Sequence, residues 1–157
     1  MKKLLLLLCL LLPVVCFCQE RGTLAYLDSH PSYGEIALGD SITKNLRKLH
    51  LLGDKEEKGG FRCEVSDKGK ECYKLGGISP FAVYVDVTNY KIKNILAFFL
   101  IGNGEELEVV KGLMSDFGEW AKDESGFNWY GKNVTVTSNY SDDLKTFYVI
   151  FRDETQP

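Results

Sequence analysis

Residue types that carry out catalysis are present in this sequence, but their spacing does not build a familiar active site. Asp28, Ser29 and His30 are the residue types of a catalytic triad. Consecutive residues do not adopt triad geometry, because the members of a triad come from separate structural elements. The second histidine, His50, follows Lys48 near the end of a predicted helix, where we expect it to be solvated. The sequence also contains no nucleophile elbow, phosphate loop, zinc-protease or dinucleotide-binding motif.

Neighbouring carboxylates are a second candidate for chemistry, since two of them can act as acid and base in a glycosidase-type site. They occur at Glu56–Glu57, Glu105–Glu106, Asp123–Glu124 and Asp142–Asp143. Their places in predicted turns and at a predicted helix start indicate solvated charges and partners of helix dipoles instead. We therefore predict that the protein is not an enzyme, and we predict no metal site and no cofactor.

The cysteines Cys63 and Cys72 predict a disulfide bond. Residues 61–73 are predicted to form a β-hairpin, with Asp67 and Gly69 supplying the turn chemistry. Cysteines opposite each other in such a hairpin have Cα atoms about 4.5–5.5 Å apart, within the range that disulfides span. The alternatives are a redox pair or a metal site, but the sequence has no CxxC spacing and only two histidines to complete a metal shell.

Aromatic side chains are the best candidates for binding. Three of them flank a predicted loop at 123–128, and three lie on predicted strands. Residues 92–101 are apolar at both odd and even positions, so a sheet covered on one side only would expose one set. Exposed apolar patches mark interaction sites. The alternative is a central strand covered on both sides. The predicted binding surface consists of Tyr84, Phe98, Trp120, Trp129, Tyr130 and Tyr148.

The strand register decides which of these aromatic residues share a face. Pairing Asp86 with Asn94 places Tyr84 beside position 96, whereas pairing Val87 with Ile92 places it beside position 95. A shift of one residue exchanges the two faces of a strand. The sequence leaves both registers open.

Residues 1–18 have the arrangement of a secretory signal peptide, with basic residues at 2–3, an apolar run at 4–12 and small residues before Gln19. The apolar run is shorter than the about 20 residues that cross a bilayer. The alternatives are a lipoprotein acylated at Cys16 or Cys18, in which we expect membrane contact, and a segment that stays uncleaved as an anchor. Removal of this segment takes away two lysines and changes the net charge from −3 to −5.

Composition and length indicate one globular domain after the signal peptide. The chain has 157 residues, of which 45% are hydrophobic and 26% charged. These values suit a single compact domain over residues 19–157 and exclude wholesale disorder. Mild acidity argues against nucleic acid as a partner, because phosphate contacts require clustered Lys and Arg.

Two helices are predicted, the first ending before Gly53 and the second at 105–117. Asp40 or Ser41 can cap the first, and Gly118 ends the second. Their apolar stripes recur at helical spacing. These stripes consist of Ile42, Leu46 and Leu49 in the first helix, and of Leu107, Val110, Met114 and Phe117 in the second.

Each predicted helix is followed by a pair of predicted strands, at 81–87 and 92–100 and again at 133–137 and 144–151. The second pair resembles the first at an offset of about 52 residues, a spacing that suggests internal repeats. We predict an α+β fold: one antiparallel sheet with two helices on one face, built from tandem helix-plus-hairpin repeats at 36–101 and 104–153.

The string Ile36-Ala-Leu38-Gly39-Asp40-Ser41-Ile42, placed before an amphipathic helix, resembles the lead-in of small bacterial envelope proteins. These are the outer-membrane-assembly lipoproteins of SmpA/OmlA type and the tandem fold of secreted β-lactamase inhibitor protein. Asp40 stands where the motif usually has Met. The resemblance implies a fold and an envelope setting, and it implies function by binding, without an active site.

These observations predict a protein that is secreted or periplasmic after cleavage before Gln19. Its expected role is to bind an unidentified protein, as an envelope accessory factor or an inhibitor. The alternative is a small-molecule or glycan-binding protein that uses the same aromatic residues. The two sequons at Asn133 and Asn139 are interpreted as strand and turn residues rather than glycosylation sites.

Overall fold

The computed structural model describes residues 20–52, 60–100, 102, 104–124 and 126–155. The predicted signal peptide lies outside the described residues. The helices are α1 (Leu24–Ser29), α2 (Ile42–Asn45) and α3 (Glu105–Phe117), with 3₁₀ turns at Leu46–Lys48 and Glu71–Tyr73. The strands are β1 (Ser32–Tyr33), β2 (Ile36–Ala37), β3 (Leu49–Leu52), β4 (Gly60–Val65), β5 (Ala82–Thr88), β6 (Lys91–Phe99), β7 (Ala121–Asp123), β8 (Gly126–Tyr130), β9 (Val134–Ser141) and β10 (Thr146–Asp153).

Eight of these strands form one sheet in the order β3-β4-β5-β6-β10-β9-β8-β7, and β1 and β2 form a separate hairpin. Every strand pair is antiparallel. Each half of the large sheet is a meander of four consecutive strands, and the halves meet where β6 pairs with β10. The chain is therefore mixed α and β, with an antiparallel sheet and few helices, which agrees with the predicted class.

A β-bulge between Asp86 and Val87 brings both predicted registers into the same strand pair. Asp86 pairs with Asn94 on one side of the bulge, and Val87 pairs with Ile92 on the other. Lys93 is the extra residue, and a bulge of this kind shifts the pairing by one residue. Tyr84 consequently pairs with position 96.

One face of the large sheet, here called the core face, carries the hydrophobic core. Its central row runs across four strands through cross-strand pairs, and every member is buried. Helix α3 contributes Val109, Val110, Leu113 and Phe117 to the same buried cluster, and α1 contributes Leu27. This central row consists of Val85, Ile95, Phe151 and Val136.

Helix α3 lies where the second predicted helix was placed, but its buried stripe has a different phase. Leu107, which was predicted to lie in the apolar stripe, is 51% exposed, whereas Val109 and Leu113 are fully buried. Gly112 lets the helix pack closely against the backbone of Gly76, because an added methyl group at Gly112 would lie 2.4 Å from the backbone nitrogen of Gly76. This close backbone contact fixes the rotation of the helix, which the spacing of apolar residues alone left open.

The first predicted helix is wrong beyond its first turn. Ser41 caps α2 as predicted, but the α-helix ends at Asn45 and residues 46–48 form a 3₁₀ turn. Leu49–Leu52 then form the edge strand β3, and Leu46 is 60% exposed rather than part of an apolar stripe. Pairing of residues 49–52 with β4 overrides a local pattern that was compatible with a helix.

The predicted hairpin at 61–73 is also wrong, and Cys63 and Cys72 are not bonded to each other. Strand β4 pairs with β3 on one side and with β5 on the other, so neither edge is left for the returning segment. That segment forms a 3₁₀ turn instead. Cys63 is buried on the core face, whereas Cys72 is exposed.

Candidate binding surface

The face of the sheet opposite the core, here called the open face, carries a group of four aromatic side chains. Phe98 lies at its centre, with its ring centroid 5.7 Å from that of Tyr84, 6.4 Å from that of Phe81 and 6.5 Å from that of Tyr148. Strand register positions them, because Tyr148 and Ala82 are the cross-strand partners of Phe98. We call these four residues the aromatic cluster.

The aromatic cluster remains accessible to a partner. None of its four rings belongs to the buried core cluster, and Phe81 is 43% exposed. Leu96 is buried on this face and stands between Tyr84 and Ile150 in the sheet register. The rings form a partly exposed apolar surface that packs on Leu96, and three of the four lie on strands in the middle of the sheet. Such a surface is rigid, since central strands are held on both sides.

The other half of the open face is a groove of about 440 Å³, here called the polar groove. Its floor is strand β9, which contributes side chains from alternate positions, and it shares Tyr148 with the aromatic cluster. A volume near this size is within the range of small-ligand sites, about 300–1,000 Å³. Its lining residues are Tyr130, Thr135, Thr137, Asn139, Tyr148, Ile150, Arg152 and Glu154.

Tyr130 is held in place by the edge strand β7. Its hydroxyl donates to Asp123 Oδ2 at 2.7 Å, and Asn128 Nδ2 donates to Asp123 Oδ1 at 2.8 Å. One carboxylate therefore fixes two neighbouring side chains of β8. Tyr130 is about half exposed, so the phenol ring is oriented without being covered.

Charged residues on the two halves of the open face differ in their partners. Arg62 donates to Asp86 through Nε at 2.6 Å and Nη2 at 3.1 Å, and Asn94 Nδ2 reaches the same carboxylate at 3.3 Å. Arg152 lies in the same row of the sheet, paired in register with Asn94 and Thr135. Within the described part of the chain, its guanidinium has neither an ion pair nor a hydrogen bond.

The structure brings together four of the six residues predicted to form the binding surface. Tyr84, Phe98 and Tyr148 lie in the aromatic cluster, and Tyr130 lines the polar groove. The sequence-based prediction did not include Phe81 of the aromatic cluster, nor Thr137 and Arg152 of the polar groove. Alternation along residues 134–141 and 146–153 would have placed Thr137 and Arg152 opposite the core, but only strand order places them side by side.

The two tryptophans do not lie on the open face. Trp129 is 1% exposed and belongs to the core, where its Nε1 donates to Gly118 O at 2.9 Å. Trp120 packs against the core cluster and contacts Phe127 edge to face, with centroids 5.3 Å apart. Trp129 was therefore wrongly predicted to be part of a surface, because it occupies the core-facing position opposite Val136.

The triad residue types at 28–30 do not form a catalytic triad. The carboxylate of Asp28 accepts three backbone N–H groups, from Lys132 and Asn133 at 2.7 Å and from Val134 at 3.2 Å. It joins α1 to the turn between β8 and β9 and is not directed at the imidazole. His30 stacks on Tyr26, with ring centroids 4.1 Å apart. Ser29 Oγ lies 2.8 Å from His30 Nδ1, but the Asp28 carboxylate is bonded to the β8–β9 turn.

Two buried tyrosines, Tyr33 and Tyr73, contact each other away from the open face. Tyr33 donates through its hydroxyl to the backbone oxygen of Tyr73, and burial raises the pKa of both phenols. The ring of Tyr73 packs on Gly34, where an added methyl group would lie 2.4 Å from the ring. Both phenols stay protonated at neutral pH, and they anchor the β1–β2 hairpin.

In the described ranges, no group of three or more His, Cys, Asp or Glu side chains is positioned to hold a metal ion. No helix within them is long and apolar enough to span a bilayer. Comparisons of the chain with known protein families, curated proteins and solved structures found no match.

Proposed function

We propose that this chain is an exported, non-enzymatic protein that binds a partner protein through its open face. The observation that carries the proposal is the aromatic cluster, four partly exposed rings of which three lie on central strands and Phe81 lies directly before one. Aromatic side chains dominate the energetic centres of protein interfaces because they bury large areas at low entropic cost. The paired charges of Arg62 and Asp86 at its border suit the polar rim of such an interface.

The export of the protein is part of this proposal and rests on residues 1–18. A basic start, an apolar run and small residues before Gln19 support cleavage and release to the periplasm or the exterior. In that setting, the role would be that of an envelope accessory factor or an inhibitor.

We also propose that the sheet arose from a tandem repeat, as in the envelope proteins that the sequence resembles. Each half is a four-strand meander preceded by a helical segment, α2 in one half and α3 in the other. The pairing of β6 with β10 supports this, because it is symmetric for residues that are 52 positions apart. A residue at the centre pairs with its own equivalent, and a residue on one side of the centre pairs with the equivalent of the residue on the other side. These pairs are Ala97 with Val149 at the centre, flanked by Ile95 with Phe151 and Phe99 with Phe147.

The experiment that tests partner binding is an affinity capture with residues 19–157 as bait, using envelope extract from the source organism. The bait is compared with the double variant Phe98→Ala/Tyr148→Ala, which removes the centre of the aromatic cluster. We expect one stoichiometric partner on the wild-type bait and its loss from the variant.

A matched control is Leu107→Ala, which removes an exposed apolar side chain from α3, away from the open face. Circular dichroism establishes that each bait is folded. Equal capture of the partner by the folded double variant would refute the proposed surface, as would loss of the partner from the Leu107→Ala bait alone.

A second candidate function, glycan or small-molecule binding, is favoured by the polar groove. Hydroxyl and amide groups from Thr135, Thr137 and Asn139 line it next to two tyrosines. Small-ligand sites combine an apolar or aromatic wall with a few convergent polar groups. A thermal-shift screen against metabolites and glycans tests it, and a rise of several degrees with one ligand class is the expected result.

A further inference from the structure

Several polar groups of the polar groove have no partner among the residues that the structure describes, although neighbouring polar groups on the same face do. The hydroxyls of Thr135, Thr137 and Tyr148 make no side-chain hydrogen bond to any described residue, and the same holds for Arg152. Arg62, on the aromatic half, is instead held by two bonds to Asp86. The groove therefore presents three hydroxyls and a guanidinium that no other described residue engages.

The positions of these groups follow from the sheet register. Tyr148, Ile150 and Arg152 occupy alternate positions of β10, and their partners on β9 are Asn139, Thr137 and Thr135. Tyr130 adjoins Thr135 from β8. The hydroxyls of β9 thus form the floor, one tyrosine stands at each of two diagonal corners, and Arg152 lies at the same end as Tyr130.

This combination matches the chemistry of a sugar ring that carries a carboxylate. The C–H faces of a sugar pack on aromatic rings, and its hydroxyls exchange hydrogen bonds with Thr and Asn side chains, which both donate and accept. A guanidinium with no other partner binds a carboxylate through two parallel hydrogen bonds. Neutral sugars would leave that guanidinium unused.

Glu154 limits the charge of the ligand. It lines the same groove two residues beyond Arg152, so a second carboxylate at that end would be repelled. A sugar hydroxyl can donate to Glu154 instead. The groove therefore suits a saccharide with one isolated acidic residue and disfavours a polyuronate or a strongly acidic peptide.

We infer that the polar groove binds a saccharide containing a single uronic acid residue, with Arg152 receiving its carboxylate. This inference rests on the second candidate function and names its ligand class. Tyr130 and Tyr148 stack on the sugar rings, and Thr135 and Thr137 bond to their hydroxyls. Binding here leaves Phe81 and Tyr84 of the aromatic cluster uncovered.

The test uses the folded chain 19–157 and a glycan array in which each uronic-acid-containing oligosaccharide is matched by its neutral counterpart. Cellobiouronic acid and cellobiose form one such pair. We expect at least one uronate member to bind about tenfold or more tightly than its neutral partner. Titration calorimetry then measures that pair with the variants Arg152→Gln and Arg152→Lys.

Arg152→Gln should abolish the preference for the uronate while leaving weak binding of the neutral sugar. Arg152→Lys should retain part of the preference, since it keeps the charge but loses the bidentate geometry. The matched control is Arg62→Gln, which removes a guanidinium from the same face outside the groove and should leave sugar binding unchanged. Thermal unfolding confirms that each variant is folded.

The outcomes separate this inference from the function on which it rests. Equal binding of acidic and neutral sugars, unaffected by Arg152→Gln, overturns the inference and leaves glycan binding intact. Absence of binding to every glycan on the array overturns both. Equally tight binding of a tri-glutamate peptide or of free acetate overturns the saccharide assignment in favour of a general carboxylate site.

Discussion

The two faces of strand β6 carry the same residue type in adjacent positions, and the fold uses the two residues in opposite ways. Phe99 faces the core and is fully buried, in register with Phe147. Phe98 faces outward and remains partly exposed at the centre of the aromatic cluster. Residue type therefore does not decide between core and binding surface. The elements packed against each face make that decision.

The sharpest test of this comparison is to truncate each phenylalanine in turn. Phe99→Ala should lower the free energy of unfolding by about 3–5 kcal/mol, because it removes a buried ring and leaves a cavity. Phe98→Ala should cost only about 1–2 kcal/mol, since part of that ring is already in water. Urea denaturation followed by circular dichroism measures both. Equal losses would show that the open face is covered in solution.

The close packing of α3 on the core side gives a second test. Here the effect of a Gly→Ala substitution on stability should have the opposite sign from the usual one. Gly→Ala inside a helix normally stabilises by about 0.5–1 kcal/mol. Gly112→Ala should instead destabilise by about 1–3 kcal/mol, because the new methyl group would lie 2.4 Å from Gly76 N. Gly69→Ala is the control, since an added methyl group there meets nothing within 4 Å. A stabilised Gly112→Ala protein would contradict the close contact.

The two cysteines extend the comparison to chemical reactivity. Burial raises the pKa of Cys63, so its thiol stays protonated and shielded at neutral pH, whereas Cys72 is exposed. We expect iodoacetamide to modify Cys72 about tenfold or more faster than Cys63. Peptide mass spectrometry over a time course measures the two rates, and urea-unfolded protein, where the rates should converge, is the control. If neither cysteine is alkylated until the protein has been reduced, then Cys63 and Cys72 form the predicted disulfide after all.

The smallest expected effect comes from an exposed group of ion pairs outside both faces. Glu35 bonds to Lys48 at 2.8 Å and lies 3.5 Å from Lys70, and these ammonium groups hold its pKa below the usual 4.5. A lowered pKa in the folded state stabilises the protein above the unfolded pKa, and this stability is lost as the pH falls through the folded value.

Glu35→Gln should therefore lose slightly less stability than the wild type between pH 7 and pH 3. Thermal melts at several pH values measure the difference. A larger loss in the variant would show that the carboxylate is not stabilised by its lysines.

Local patterns in the sequence were sufficient to predict several elements. Residues 81–87 and 92–100 were predicted as strands and are observed at 82–88 and 91–99. Alternation of apolar residues is a local signal, and β-branched and aromatic residues favour strands. Ser41 at the start of α2 and Gly118 after α3 also lie where capping chemistry predicts them.

The errors occur where a distant segment competes for the same backbone. Residues 46–52 are compatible with a helix, but β4 supplies hydrogen bonds that turn residues 49–52 into an edge strand. Residues 70–73 are compatible with a strand, but both edges of β4 are taken. In both cases, hydrogen bonding between strands outweighs a weak local preference.

The sequence by itself determined the positions of several strands and the caps of the helices, because these depend on neighbouring residues. The tertiary structure alone decided that Trp129 is buried, that Tyr84 lies beside Phe98 and that Arg152 lines a groove with no partner among the described residues. Those facts depend on strand order and on the single residue added by the bulge. Neither leaves a local signal in the chain, since each is set by contacts between segments that are distant in sequence.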